Sequence, residues 1–479
     1  MVHSESEVRP PARPTSQATP PSRPPGRWIV TREQQSGQIP PQVDNLGEAE
    51  RNEIYEAAKR TDYDLPRLQQ LSMPQLLELA RTEGVEGYPG LNRQELIFQV
   101  LRRRVTSTGL GWGEGVLDVL PDGFGFLRSK RFSYLAGPDD VYVSPSQIRR
   151  LNLKTGHQLA GPVRPPKEGE KYFALLHIEA VNGGSIEDLK RRIPFDDMTP
   201  VLPHERLRLE HPGCGIDLRL FDLLVPLGRG QRVLVSTPPL SGRNVVLKHL
   251  AQGILANHPE CYVILLLVDE RPEEVTEVLR GTGPDSRREV VASTFDEPAA
   301  RHVALAEIVL ERARRMVEAG EHVVLLMDSL TQLVRAYNTE VPHSGKILGG
   351  GLDAVALQKP KRLFASARAM EEGGSLTVIA TMLTETGSRM NEVIAEEFQG
   401  KANCEIVFDP QLTELHVYPA LDVAATGTRR EDNLLPAEEL ERIRRLRRHL
   451  VDLDRRQALE RVIEQLAKTR DNAELIHGL

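Results

Sequence analysis

Three groups of residues have the types and spacing to handle a nucleotide or a nucleic acid. The first follows a β-branched run. Val233-Leu-Val-Ser236 gives way to Thr237-Pro-Pro-Leu240-Ser241-Gly242-Arg243-Asn244-Val245 and then to an apolar helical pattern. A strand, a short glycine turn and a helix start, in that order, leave backbone N–H groups at a positive dipole end, which attracts phosphate. A working phosphate loop wants Gly-Lys-Ser/Thr here, with the lysine a compact charge on the β- and γ-phosphates and the hydroxyl on magnesium. Gly242-Arg243-Asn244 keeps the glycine and the charge, but as a wider planar guanidinium that does not replace an ammonium like for like. Asn244 offers a neutral carbonyl in place of the hydroxyl.

The second group is acidic. Asp269-Glu270-Arg271 follows the apolar run Val263–Val268, and Asp328 follows Val323–Met327. Parallel sheets bind ligands at the carboxyl ends of their strands. Glu270 is thus placed to polarise an attacking water, and Asp328 to hold magnesium through water. Each acid alone reads equally well as a helix cap or a surface charge. Together behind a phosphate turn they make a nucleotide site.

The third group is Gly123-Phe124-Gly125-Phe126-Leu127-Arg128. Aromatics two apart share one face of a strand, and the glycines would let a flat base approach the backbone. Stacking of a base on such a ring is worth about 1–3 kcal/mol and tolerates many sequences. Arg128 follows on the same face, and Tyr142 and Tyr172 lie on neighbouring predicted strands. An isolated phenylalanine pair would read as core; here the strand pattern around it favours single-strand binding. The net charge is −7, so any field for a polyanion must be local, and Arg149, Arg150, Lys154, Arg164 and Lys167 supply it.

The elements that must position these residues divide a 479-residue chain into several parts. Residues 1–65 form a proline-rich extension, with nine prolines before residue 45, too poor in apolar surface to offset its ordering entropy. Residues 66–108 carry a small helical domain: Ser72-Met-Pro-Gln75 is a capping box, Gly84 ends that helix, and Asn92 starts a second with Leu96, Ile97, Val100 and Leu101 inward. Residues 109–188 read as short strands punctuated by Gly and Pro, an oligonucleotide-binding or cold-shock-like β-barrel. In 189–479 strands alternate with helices, predicting a parallel α/β sheet, and the end of the chain is helical through Leu440, Ile443, Leu446, Leu450, Leu459, Val462 and Leu466. Cys214, Cys261 and Cys404 are too far apart for a metal pair and read as thiols of a reducing compartment. No apolar run approaches a membrane span, and no signal peptide is indicated.

Taken in order, these stretches resemble the Rho family of transcription termination factors over about residues 66–475. The resemblance is carried by Gly123–Arg128, Tyr134-Leu-Ala-Gly-Pro-Asp-Asp140, Val143–Arg150, Gly228–Arg232, Asp269–Val275, Val291–Pro298 and Gly373–Thr377. It implies a homohexamer of RecA-like P-loop ATPase domains in the cytoplasm. Such a ring binds nascent single-stranded RNA and uses ATP and Mg2+ to pull it through a central channel, as a helicase that frees the transcript from RNA polymerase. Carried over by position, Gly123, Phe124, Gly125, Phe126, Leu127, Arg128, Asp140, Val141, Tyr142, Glu170, Lys171 and Tyr172 form the primary RNA site. Lys346, Ile347, Leu348, Gly349, Gly350 and Gly351, with Arg389, form the channel loops. Gly228, Arg229, Gly230, Gln231, Arg232, Val233, Leu240, Ser241, Gly242, Arg243, Asn244, Val245 and Arg271 bind ATP. Glu270 is the catalytic acid, Asp328 the metal-side acid and Arg429 an arginine finger given to a neighbouring subunit.

Departures from the family pattern concentrate where phosphates would sit. Leu240 and Arg243 stand for lysines and Asn244 for the magnesium-side threonine, and Pro410, Gln411, Leu415 and His416 fill a segment that is basic in the family. Two readings follow: an RNA-dependent ATPase that accommodates Arg243, or a hydrolysis-deficient relative acting as an RNA-binding hexamer or regulator.

Overall fold

The computed structural model describes residues 52–57, 68 and 71–478, other than 86, 92, 108, 109, 168, 240, 283–286 and 343. The proline-rich segment, the start at Asn92 and the Leu240 position therefore lie outside the described residues. Residues 52–57 are helical, and Tyr55 packs among Leu76, Leu96 and Leu101. A helix thus falls within the segment that composition assigns to the extension, because Ile54 and Tyr55 bring apolar surface to the helices.

Helices α1 (Met73–Thr82) and α2 (Arg93–Ser107) carry the first core. The backbone N–H of Ser72 donates to Gln75 Oε1 at 2.8 Å, closing the capping box, and Gly84 past the end has φ +69°. Trp112 and Ala160 extend this core into the next layer.

There, strands β1 (Gly111–Val119), β2 (Gly125–Arg128), β3 (Val141–Val143), β4 (Gln158–Arg164), β5 (Phe173–Leu175) and β6 (Ala180–Val181) form one sheet in the order β1-β2-β3-β5-β4-β6. β1 also pairs with β4, Trp112 opposite Pro162, and that second pairing closes the barrel. Leu117, Leu127, Val143 and Leu159 fill it.

The second sheet takes strands β7 (Arg232–Thr237), β8 (Cys261–Glu270), β9 (Arg288–Thr294), β10 (His322–Asp328), β11 (Ser375–Leu383), β12 (Cys404–Val407) and β13 (Gly427–Thr428) in the order β9-β8-β10-β11-β7-β12-β13. Along this order every pair is parallel except β12 with β13, and two short strands off the path, Arg368–Met370 and Pro200–Val201, add antiparallel pairs beside β11. The continuous apolar run of β8 is explained by burial on both faces. Val263, Leu265 and Leu267 enter one core, Ile264, Leu266 and Val268 the other. β7, β8 and β10 run in one direction, so Thr237, Glu270 and Asp328 end at one edge. Helix α3 (Arg243–Asn257) leaves from that edge after β7.

Barrel and sheet are joined by a buried polar cluster. Glu289 of β9 accepts hydrogen bonds from Arg312 Nε (3.1 Å), Tyr134 OH (2.8 Å) and Tyr262 OH (2.9 Å). Gly156, at φ +96°, lies so close to Glu311 that a Cβ would come within 2.3 Å of its carbonyl carbon. The barrel is therefore seated on the nucleotide-side domain by contacts that only a glycine and a fully paired charge allow.

Candidate functional site

Gly242 caps α3 with φ +77°, a left-handed backbone that favours glycine, while open space surrounds it. Arg243, the first residue of α3, turns back over the strand ends. Its Nε donates to Asp328 Oδ1 and Oδ2 at 3.0 and 3.1 Å, and its Nη2 to Glu270 Oε1 and Oε2 at 3.3 and 3.1 Å. One guanidinium thus bridges both acids that sequence assigns to the chemistry. Thr381 Oγ1 fixes Asp328 Oδ1 from β11 at 2.7 Å. Asn244 Nδ2 donates to Glu274, while Asn244 Oδ1 and Ser241 Oγ are buried with no hydrogen-bond partner among the described residues.

The charge balance here is uneven: three carboxylates face one cation. Burial pushes Glu270 up to about 8, with Glu274 and Asp328 pressing the same way and Arg243 unable to offset them. Burial likewise raises Asp328 against the pull of Arg243. Burial would lower Arg243, but Asp328 and Glu270 outweigh it and hold the guanidinium charged.

Beside the turn opens a cavity of about 520 Å³, reaching from Ser241 and Gly242 past Val245 and Val246 to Asp217, His249, Phe408, Tyr418, Pro419 and Ile463. Ile216, Val245 and Tyr418, all on its lining, are among the large apolar side chains left exposed, at 37, 42 and 50%. An apolar slot opening onto a phosphate turn suits a nucleoside. Sequence reasoning missed Asp217, His249, Phe408 and Tyr418. They come from four elements far apart in the chain, and no local spacing marks them.

The structure separates other assigned residues from the turn. Gly228–Val233 stand at the opposite end of β7, about 17 Å from Thr237 along a strand of this length. Gly230 presses on the Arg368–Ala369 backbone, Gln231 is buried, and Arg229 pairs with Glu205 and Glu260. They anchor the strand, and among the described residues they do not line this cavity. Arg271 is exposed at the cap of the helix after β8. Arg429 is exposed beyond β13, held by its backbone N–H to Asn403 O at 2.8 Å.

On the barrel, Phe124, Phe126, Tyr142 and Tyr172 form one aromatic cluster, with centroid separations of 5.8 Å (Phe124–Phe126), 5.7 Å (Phe124–Tyr142) and 4.8 Å (Phe126–Tyr172). Arg128 lies over the Phe126 ring at 5.1 Å, but its guanidinium is buried and ion-paired to Asp118 (2.7 Å) and Asp140 (2.5 Å). It holds the ring instead of offering a loose cation. Leu127 and Val141 face the barrel interior by strand alternation, and a Cβ on Gly125 would sit 2.8 Å from Asp118 O. The side chains of Leu127 and Val141 and the bare Cα of Gly125 are packing positions within the barrel. Gly123 makes the turn before β2 at φ +85°. Lys171 is exposed, and Arg164 donates to Glu170 at 2.6 and 3.0 Å, holding that carboxyl down at about 2.

The two loops for which the family resemblance implies a channel role meet. Gly349–Gly351 form a turn packed on residues 389–393, where a Cβ on Gly350 would lie 2.4 Å from Met390 N. Lys346 is exposed, as is Ile347 at 66%, and Leu348 N–H closes the loop onto Leu352 O. Arg389 is exposed and pairs with Glu392 at 2.9 Å.

Phe126→Ala removes the ring that touches every other member of the aromatic cluster. Single-stranded RNA affinity is expected to fall about 5- to 100-fold, the equivalent of one lost stacked base. Fluorescence anisotropy with a short cytidine-rich RNA measures it, and unchanged affinity would remove this face from RNA binding.

Family models agree with this division. Residues 67–109 match the Rho termination factor N-terminal domain, 113–187 the Rho termination factor RNA-binding domain, and 217–427 the nucleotide-binding domain of the ATP synthase alpha/beta family. Among curated relatives, the transcription termination factor Rho of Rhodopirellula baltica is 51% identical over 410 residues, 85% of this chain and 80% of its own length. That of Chromobacterium violaceum is 51% identical over 411 residues, 85% of this chain and 97% of its own length.

Proposed function

The chain belongs to the Rho family of transcription termination factors, and on that premise we propose that its barrel and its nucleotide site act in series within a cytoplasmic homohexamer. The aromatic cluster takes single-stranded nascent RNA. ATP turnover at the Gly242 turn draws that RNA past Lys346 and Arg389 and releases the transcript from RNA polymerase.

One observation carries the hydrolytic part of this reading. Arg243 sits in contact with both Glu270 and Asp328, so a cation already stands between the phosphate turn and the two acids. An arriving triphosphate competes for that guanidinium. Moving to the phosphates, Arg243 frees Glu270 to orient a water. Bidentate geometry suits phosphate oxygens as well as carboxylates.

The residues also fit a divalent cation: Asn244 Oδ1, buried and without a hydrogen-bond partner among the described residues, is a neutral oxygen donor in the first turn of α3, and the fully buried Asp328 is a carboxylate at the strand edge from which α3 leaves. Asn244 and Asp328 would hold Mg2+, which when bound neutralises charge developing on the phosphates. No helix among the described residues is long and apolar enough to cross a membrane.

Phosphate release by the purified protein, with and without cytidine-rich RNA, tests the reading. RNA-stimulated release is expected. Arg243→Lys with Asn244→Thr is expected to raise it about tenfold, equivalent to about 1.4 kcal/mol of ground-state ion pairing removed. No release from either protein would leave an RNA-binding hexamer without turnover.

A further inference from the structure

We propose that Arg243 stands in for a divalent cation while the nucleotide site is empty, so that metal reaches Asp328 only after nucleotide phosphate has drawn the guanidinium away. The inference rests on reading the Gly242 turn as the phosphate site, and it sets the order in which that site fills.

Asp328 is the carboxylate that a metal ion would need, and it is fully buried with its oxygens in use. Oδ1 accepts from Arg243 Nε at 3.0 Å and from Thr381 Oγ1 at 2.7 Å, and Oδ2 accepts from the same Nε at 3.1 Å. A carboxylate oxygen offers about two lone-pair sites, so Oδ1 is filled. What remains on Oδ2 is closed to solvent. Arg243 Nη2 meanwhile holds both oxygens of Glu270, at 3.3 and 3.1 Å. The two acids at the strand ends thus share one cation, and that cation belongs to the chain.

A metal ion is poorly placed to displace it. Mg2+ gives up its water reluctantly and demands near-octahedral oxygen geometry. The guanidinium, for its part, would leave two carboxylates at once for water alone. Its charge is permanent, so no working pH removes the competitor.

A phosphate chain changes the balance. The Arg243 side chain is 27% exposed where Asp328 is closed, so an incoming anion meets the cation first. Phosphate oxygens take the planar fork in two parallel bonds, as carboxylates do. Once Arg243 has turned to them, Asp328 is a buried charge without its partner, a costly state that favours entry of the next cation. Asn244 Oδ1, buried and without a hydrogen-bond partner among the described residues, is left as an oxygen for that ion. A lysine, with a compact head on a flexible stem, would not fork across both acids in this way. The chain therefore holds nucleotide without turning it over when divalent metal is scarce.

Two measurements on the full chain test this. Loss of the free Mn2+ electron paramagnetic resonance signal reports metal binding without nucleotide, Mn2+ sharing the oxygen preference of Mg2+. Arg243→Ala is expected to bind Mn2+ at least about tenfold tighter than the parent, and Asp328→Asn added to it is expected to cancel the gain. Arg243→Lys, the milder change, is expected to fall between parent and Arg243→Ala, and it carries the test if loss of the whole side chain prevents folding. In the second measurement, the parent is expected to bind a fluorescent ATP in EDTA within about tenfold of its affinity in Mg2+. Mn2+ binding by the nucleotide-free parent as tight as by the variants, a gain that survives Asp328→Asn, or a loss of more than about tenfold in EDTA overturns the proposal. Fluorescent ATP that binds neither with nor without metal removes the phosphate reading of the turn, and the proposal falls with it.

Discussion

Arg429→Ala is expected to cut RNA-stimulated phosphate release by about 10³- to 10⁵-fold, the loss seen when a charge-stabilising arginine is withdrawn from phosphoryl transfer. The topology is in keeping with the proposal that this residue acts on a neighbouring subunit. In the order β9-β8-β10-β11-β7-β12-β13, Glu270 ends the second strand and Arg429 follows the last. Five strand spacings separate them, about 24 Å at the usual interval and beyond the reach of an arginine side chain. Arg429 is instead exposed past the sheet edge, with its backbone anchored on Asn403. The check is complementation. Arg429→Ala and Glu270→Gln proteins, each inactive alone, are mixed in equal amounts. About one interface in four of a closed ring then joins an intact Glu270 to an intact Arg429, and activity returns. If activity does not return, Arg429 serves its own subunit or none.

Periodicity and punctuation made most of the architecture legible. The capping box at Ser72, the barrel strands and the alternation that splits β8 between two cores all follow from local rules that the chain obeys without exception. The acids Glu270 and Asp328 were legible for the same reason: each ends an apolar run, and parallel strands put such ends on one edge. Three things were hidden. Gly228–Val233 read as part of a nucleotide motif, and sequence proximity to the turn conceals the length of β7 that lies between the two. Leu127 and Val141 lie next to aromatic positions in sequence and on the opposite face in space, the usual consequence of a two-residue period. The walls of the cavity around Tyr418 come from separate elements, so only the folded sheet assembles them. Arg243 is different again. Sequence marked it as a departure, but only geometry gave it a role, through bonds to two carboxylates that lie 27 and 85 positions away along the chain.

Glu270→Gln is expected to lower phosphate release about 10²- to 10⁴-fold, the range for loss of a positioned general base, while nucleotide affinity stays within about threefold because an uncharged amide leaves Arg243 free for phosphate. The effect has a pH signature. Burial, then Glu274 and Asp328, raise Glu270 to about 8 in the ligand-free site, so below that pH its carboxyl carries a proton and cannot accept one from water. The parent kcat/KM, which reports the free enzyme, is expected to climb with pH and level off above about 8, and the Gln variant to lose that limb. Stability supplies the control. A carboxyl whose folded pKa lies above its unfolded value binds more protons in the folded state. Its contribution is full below about 4.3 and is lost as pH rises through 8. The Gln variant escapes that loss and should match or exceed the parent's Tm at pH 9. A variant that is slow, flat in pH and no less stable is one that has lost a base and nothing else. A variant that keeps the parent's rising limb would show that another group activates the water, and Glu274, which accepts a hydrogen bond from Asn244 and presses on Glu270, would be the residue to replace next.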